Sequence, residues 1–502
     1  MKNQKKIGAI LGYVHIFLNG VIGLLYVPFL LNNIGQAEYG LYQIVSSVMA
    51  YIAVLEATLS ASVIRYYTVL KAKKDEAGIE HLLFISRRLF RILSLVLLGL
   101  SLPIGFFLYK FYQSSLQHNQ LIEMLAMFGL LIFNVIISVN NYIYLACITV
   151  HERFVFLKIA GLACLVMQPI TVVLFLKKSP YAIVIVLIHM AFNALLCAIR
   201  FGYAKKVLSI KIGRHKEKGN SITKEILVFS TGVLLTALAD QIFWKTDQLL
   251  LGKMIGVIAV AIYSVGAQIF GIYMSLANCV TGVLLPTVVN KVETQGVAGV
   301  DPFFRRIGRI QFFILGAILG GFVCFGQEFL LLWVGEGYEI AYYVVLLLII
   351  PYTVDLIQAT GLCILQAVNK YAFRAKCLFI IAIINIVLTV LLVGYIGIVG
   401  AALSTAVSIL IGHGVIMNVF YKRVIGLNIK QFWKEMAPIF AIVCISILIG
   451  LAVRIVVLPN AWLAFLMHGL CFVAVYGILS YLVMNSYEKM QIKGILRKIL
   501  KK

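Results

Sequence analysis

The stretch IGAILGYVHIFLNGVIGLLYVPFLL, residues 7–31, runs through twenty-five positions without an Asp, Glu, Lys or Arg. About 20 predominantly apolar residues suffice for a helix to cross the hydrocarbon core of a bilayer. A cleaved signal peptide has a shorter apolar core and ends in small residues. Lys2, Lys5 and Lys6 precede the stretch, so it reads as a retained first transmembrane helix with its basic end inside. The rest of the chain repeats this pattern. Of 502 residues 62% are hydrophobic and 12% charged, against about 45–50% and about 25% in soluble domains. A bilayer accepts that much apolar surface, whereas a soluble core cannot hide it.

Scanning with the same ruler gives fourteen expected spans, at about 7–32, 40–66, 86–111, 121–146, 152–176, 180–204, 224–251, 255–290, 306–333, 340–367, 372–395, 397–420, 436–457 and 461–485. Charge supports the count. Lys plus Arg number 43 and Asp plus Glu 19. With the N-terminus inside, every Lys and Arg except Lys110, Lys177, Lys178, Lys245, Lys253 and Arg454 falls on the inner side. A miscounted helix would invert part of that alternation. The +24 net charge is therefore topogenic and does not point to nucleic acid. Both termini are expected on the cytoplasmic side of a bacterial cytoplasmic membrane.

The sequence carries an internal echo. Ile34-Gly35 with Tyr42 returns as Ile255-Gly256 with Tyr263, and Ala146 with Arg153 returns as Ala367 with Arg374, both at an offset of 221. Leu208-Ser209-Ile210-Lys211 resembles Leu427-Asn428-Ile429-Lys430 at 219. These matches suggest a duplicated six-helix unit. Since six is even, the copies share an orientation and a pseudo-twofold along the membrane normal. The expected architecture is an all-α polytopic membrane protein in two six-helix lobes, residues 1–220 and 221–432. Two further helices follow at 433–485, then a basic tail at 486–502. In the tail Met490, Ile492, Ile495, Leu496 and Ile499 recur at helical spacing among Lys and Arg, which fits either an amphipathic helix on an anionic lipid surface or a frayed basic tail.

Chemistry-bearing residues are few. The nine Cys lie in apolar runs without a CxxC pair. There is no GxxxxGK[ST], HExxH or clustered metal-ligand spacing, so neither an enzyme nor a bound cofactor is expected. Any energy would come from an H⁺ or Na⁺ gradient, the membrane potential or the substrate's own gradient. Ionisable side chains inside spans cost about 2.5–3.5 kcal/mol each and call for a reason. Glu56 lies nine residues from Arg65, about 13 Å along a helix axis. Asp240 shares a face with Thr236, Trp244 and Asp247 by helical spacing, with Lys245 beside them. Asp355 sits near the middle of the tenth span. Carboxylates beside a Trp suit a sugar, whose C–H face stacks on the ring while its hydroxyls donate to the carboxylates. The competing reading is helix-to-helix glue or interfacial anchoring. Arg65, at the inner mouth, could meet a pyrophosphate or serve as topogenic charge. Asn19 and Gln366 read first as interhelical hydrogen-bonding groups; His15, His189 and His413 could carry protons, with hydrogen-bonded packing as the first reading.

The first outer loop, Asn33-Ile34-Gly35-Gln36-Ala37-Glu38-Tyr39-Gly40-Leu41-Tyr42, resembles the LG-x-x-x-YG-x-Y signature of bacterial polysaccharide flippases. That family belongs to the multidrug/oligosaccharidyl-lipid/polysaccharide exporter superfamily. Thr246-Asp247-Gln248-Leu249-Leu250-Leu251-Gly252, running on to Ala261-Ile262-Tyr263-Ser264, and Gln366-Ala367-Val368-Asn369-Lys370 resemble further family stretches. The likeness extends over nearly the whole chain. It implies two lobes around a cavity, and a cargo of oligosaccharide on undecaprenyl pyrophosphate moved by alternating access. Membrane lipids would be partners, as would a polysaccharide polymerase and other assembly proteins. In fourteen-helix relatives the last two helices help to form a groove for the lipid tail. The family's first-helix Arg is missing, with Asn19 and His15 in that helix instead, so the resemblance assigns no pyrophosphate contact. A cation-coupled multidrug antiporter of the same superfamily usually stops at twelve helices. A peptidoglycan-precursor flippase has fourteen and differs in cargo.

Overall fold

The structure, a computed structural model, describes residues 2–210, 220–281, 284–455 and 461–500. Among the described residues the secondary structure is helical, without a strand. The run Lys2–Ala72 is bent at Gly35, whose φ is 78°. Its halves are α1 (2–34) and α2 (36–72). There follow α3 (Glu76–Tyr112), α4 (His118–Val150), α5 (Phe154–Leu176), α6 (Ala182–Lys206), α7 (Asn220–Met254) and α8 (Val257–Thr281). Next come α9 (Leu285–Val334), bent at Gly296, and α10 (Glu339–Ile357), which breaks at Gln358 and resumes as Ala359–Ala367. The remainder are α11 (Tyr371–Ile396), α12 (Ile398–Ile425), α13 (Ile429–Val453), α14 (Ala461–Val483) and the tail helix α15 (Ser486–Leu500).

Among the described residues, 12 helices are long and apolar enough to cross a membrane. One of them, Ile10–Val54, covers the bend between α1 and α2. α7 carries Asp240, Lys245, Asp247 and Lys253 and falls outside that set. Each of the fourteen expected spans thus has a helix, α1 to α14 in order. The protein is a multi-pass membrane protein of all-α class.

The chain forms two compact units, Met1–Ser264 and Val265–Lys502. This division by packing falls within α8, whereas the repeat read from sequence places its boundary at 220/221. In the first unit α2 packs on α4 and α7. Gly40 makes one contact feasible: a Cβ there would stand 1.9 Å from the Val257 carbonyl oxygen. The paired positions Gly35 and Gly256 both hold positive φ, 78° and 119°, a region costly to residues with a Cβ. Glu38 accepts from the Ala182 backbone N–H at 2.9 Å, which ties the start of α2 to α6.

In the second unit the helices divide by what surrounds them. Over half of the apolar window is buried in α9, α10 and α12, against 33% or less in α11, α13 and α14. The latter therefore present apolar side chains such as Leu448, Leu470 and Tyr395 to the lipid. Small residues on α9 admit α13 and α14 closely. A Cβ on Gly316 would meet Val443 and Tyr476, and one on Gly320 would meet Phe472. Such small-residue seams suit helix pairing in lipid, where close packing replaces the hydrophobic drive. Cys324, Phe325, Ile442, Val443, Phe472 and Tyr476 form the resulting core. α11 and α12 are joined by hydrogen bonds: Asn385 donates to Thr405 at 2.8 Å, and Thr389 pairs with Ser404.

Candidate functional site

The second unit holds a buried ionic cluster. Asp355, one turn before the break in α10, is 8% exposed. Its Oδ2 accepts from Arg374 Nη2 of α11 at 3.3 Å. Its Oδ1 lies 2.7 Å from Nδ1 of His413 on α12. Tyr421, fully covered, is hydrogen-bonded to Arg374. A lone charge here would be expensive, and the opposite charge with shared hydrogen bonds offsets that cost.

Both helices that carry the carboxylate and the imidazole are irregular beside them. α10 is interrupted at Gln358. α12 widens to a π-helix over Leu410–Ile416, a departure often found at functional positions. Widening frees backbone carbonyls, and Asn418 answers two of them: its amide donates to His413 O at 3.0 Å and Gly414 O at 2.9 Å. Asn418 Oδ1 in turn accepts from Gln358 Nε2 at 2.8 Å and Trp433 Nε1 at 3.0 Å. The break, the widened turn and the ion cluster form one connected network.

In the first unit the acidic face of α7 is not uniform. Asp247 is 1% exposed and accepts from the Tyr263 hydroxyl at 2.7 Å. Next to it, Gln248 links Ser47 of α2 to Ser264 of α8. Thr246 meets the Tyr51 hydroxyl at 2.7 Å. Asp247 is thus enclosed where α2, α7 and α8 meet. Asp240 and Trp244, about two turns and one turn earlier, and Lys245, two residues earlier, are half-buried, and Trp244 lies edge-on to Phe243 at 4.8 Å. Glu56 belongs to α2, and its side chain lies outside the described residues, as does that of Thr236.

Arg65 is exposed near the end of α2, with its guanidinium 5.9 Å from the Tyr66 ring. Asn19 is exposed on α1. His189, also exposed, pairs with Gln168 at 2.9 Å. On the same unit a cavity of about 530 Å³ is lined by Tyr67, Lys71, Lys74, Glu80, His151 and neighbours. Burial lowers the pKa of both Lys71 and His151.

A family model described as polysaccharide biosynthesis protein matches residues 7–290, more than half of the chain. The chain belongs to that family. A membrane protein named EpsK of Bacillus subtilis (strain 168), described as uncharacterized, is 20% identical over 474 residues, covering 93% of this chain and 92% of that one. Among solved structures, the lipid II flippase MurJ in its inward closed conformation aligns with TM-score 0.76 at 15% identity, covering 95% of this chain and 98% of that chain. An inward-facing multidrug resistance transporter of the MATE family aligns with TM-score 0.61 at 13% identity, covering 84% and 96%. The fold is therefore that of the exporter superfamily to which the first-loop signature pointed.

For this polysaccharide biosynthesis family member, sequence reading found Asp355 but not its partners. Arg374 lies in the first turn of α11, where a basic residue reads as topogenic charge. His413 read as a packing histidine. One local signal existed: Gly412-His413-Gly414 in an apolar span places two helix-weakening residues around an ionisable one.

Proposed function

We propose that this protein is a flippase for an oligosaccharide repeat unit carried on undecaprenyl pyrophosphate. It moves the head group from the inner to the outer leaflet of a bacterial cytoplasmic membrane for assembly of a surface polysaccharide. Both termini lie in the cytoplasm, the route is alternating access, and a polymerase on the outer side takes the product.

One observation carries this reading: membership of a polysaccharide biosynthesis family in a chain whose fold matches a lipid II flippase along 95% of its length. MATE-type structures cover 84–86% of the chain. The fuller match is what a fourteen-helix lipid-linked cargo carrier would give, and a twelve-helix antiporter would not. Half-buried Asp240 and Trp244 supply a carboxylate and a ring of the kind that suits a sugar.

The test uses a deletion strain of the source bacterium, with and without the gene restored. Surface polysaccharide and undecaprenyl-linked oligosaccharide are quantified together. Loss of polymer with repeat units held at the inner leaflet is the expected result and identifies the cargo. Accumulated peptidoglycan precursor would redirect the reading to that lipid. Unchanged polymer and lipid pools in a strain without a second flippase would overturn it in favour of a cation-coupled drug antiporter.

A further inference from the structure

The tail helix α15 carries a charge pattern that transport of a cargo leaves without a task. We propose that α15 is a docking surface for anionic phospholipid, seated on the membrane face where α14 ends and set in rotation by the buried pair Glu488–Arg309. The proposal needs only the membrane-spanning fold and is independent of what the protein carries.

Position is the first observation. α14 crosses the membrane as Ala461–Val483, and Met484 and Asn485 alone separate it from α15 (Ser486–Leu500). The tail therefore starts where a span ends. Lys489 stays at that level: its ammonium lies 5.0 Å from the ring of Tyr481, in the last turn of α14. Tyrosines at span ends sit among the lipid headgroups.

Rotation is the second. Glu488 is the buried side chain of the first turn, held by Arg309 through hydrogen bonds of 2.7 and 3.0 Å. Turning the helix would strip a buried carboxylate of its partner, which is costly. Helical spacing then assigns the faces. Ile492, Ile495 and Ile499 come four, seven and eleven positions after Glu488 and share its stripe, with Leu496 beside it. Lys489, Lys493 and Arg497 recur every four residues on a second stripe, and Lys498 and Lys501 also fall off the apolar one. Met490 stands off the apolar stripe and is exposed. An apolar stripe backed by Lys and Arg is the pattern of a helix that lies in the membrane interface.

Charge names the partner. Beyond Lys489 the described side chains of Met490, Gln491 and Lys493 are exposed, and a Cβ at Gly494 would meet nothing within 4 Å. A helix this short, with glycine near its centre, is marginal in water by itself and draws stability from a surface that covers its apolar stripe. Glu488 is the last acid of the chain, and six cations follow it: Lys489, Lys493, Arg497, Lys498, Lys501 and Lys502. Such a segment repels a second copy of itself and is drawn to a leaflet rich in anionic headgroups.

The test uses the full chain in nanodiscs of phosphatidylcholine, alone or with an equal part of phosphatidylglycerol. Amide hydrogen exchange is followed along α15. Exchange over residues 489–500 should slow by about tenfold or more in the anionic discs, with α10 and α11 unchanged. High salt should remove the difference. So should the variant K493Q/R497Q/K498Q/K501Q/K502Q, which keeps Glu488 and the apolar stripe. Equal exchange in the two lipids overturns the proposal and leaves a frayed tail. Slowing that extends to α10 and α11, or that survives high salt or the charge substitutions, overturns it as well. Inorganic phosphate added to the neutral discs should leave α15 unchanged; protection equal to that by phosphatidylglycerol would assign the charges to a soluble anion instead. If the charge variant does not reach the membrane, the parent decides alone, by its dependence on lipid and on salt.

Discussion

Arg309 grips Glu488 with a two-point fork, Nε to Oε1 at 2.7 Å and Nη2 to Oε2 at 3.0 Å. The pair joins the middle of α9 to the first turn of the tail helix, and Glu488 is 4% exposed. Glu488 also closes the helix start: it accepts from the Asn485 backbone N–H, and Asn485 accepts from the Glu488 N–H. Such reciprocal capping fixes a helix at its first turn. Arg309 donates to the Glu435 carbonyl of α13 as well, and Arg306 stacks on Tyr487 at 4.0 Å. The basic tail is therefore pinned by an acid that sequence reading passed over.

Removing one partner of such a buried pair leaves an uncompensated charge and costs about 3–5 kcal/mol. Glu488→Ala should lower the thermal midpoint of the purified protein in detergent. The double variant R309M/E488M should recover most of that loss, because both charges leave together. An unchanged midpoint in E488A would show that the fork carries no stability.

Among the described glycines of the first unit, Gly40 has the least room for a Cβ. Its Cβ would overlap the Val257 carbonyl at 1.9 Å, whereas a Cβ on Gly20 would meet nothing within 4 Å. Gly40→Ala should cost about 1–3 kcal/mol or more by forcing α2 and α8 apart. Gly20→Ala should be near neutral. Membrane abundance of the two variants, measured side by side by immunoblot, checks the contrast, and equal abundance would refute it.

Tyr263 donates to a carboxylate enclosed among three helices. Tyr263→Phe takes one donor from a buried acceptor, a loss of about 1–3 kcal/mol. The expected outcome is lower thermal stability with wild-type export per molecule. Export lost at full abundance would instead place Asp247 in the transport path.

Asp240 and Glu56 are the carboxylates whose place in a span called for a functional reason. Asp240→Ala and Glu56→Ala should each reduce export severalfold while the protein stays in the membrane. Abundance-normalised surface polysaccharide is the readout. Normal export by both variants would remove them from the mechanism.

The span count, the apolar class and the family stretches were legible because each is a local property. Twenty-five uncharged residues before Asn32 are long enough for a bilayer whatever they later touch. The bend at Gly35 was foreshadowed by Ile34-Gly35, because only glycine accepts that backbone freely. The helix start before the tail could have been read from Asn485 and Glu488, three residues apart.

Pairing was not legible. Asp355 stood out because an acid in a span is costly, yet Arg374, nineteen residues on, looked like one more inner-side charge, and His413 like filler. Asp240 and Asp247 fall on one face by periodicity, yet one is half-buried and the other enclosed. Helical spacing fixes which side chains share a face. It does not fix what that face meets, which depends on the rotation and depth of neighbouring helices. By itself, then, the sequence determined that the chain threads a membrane many times and belongs with the polysaccharide biosynthesis family, because hydropathy and motifs add up along the chain. Only the tertiary structure decided which charges meet, because a buried ion pair needs two helices to bring opposite charges within about 4 Å of each other.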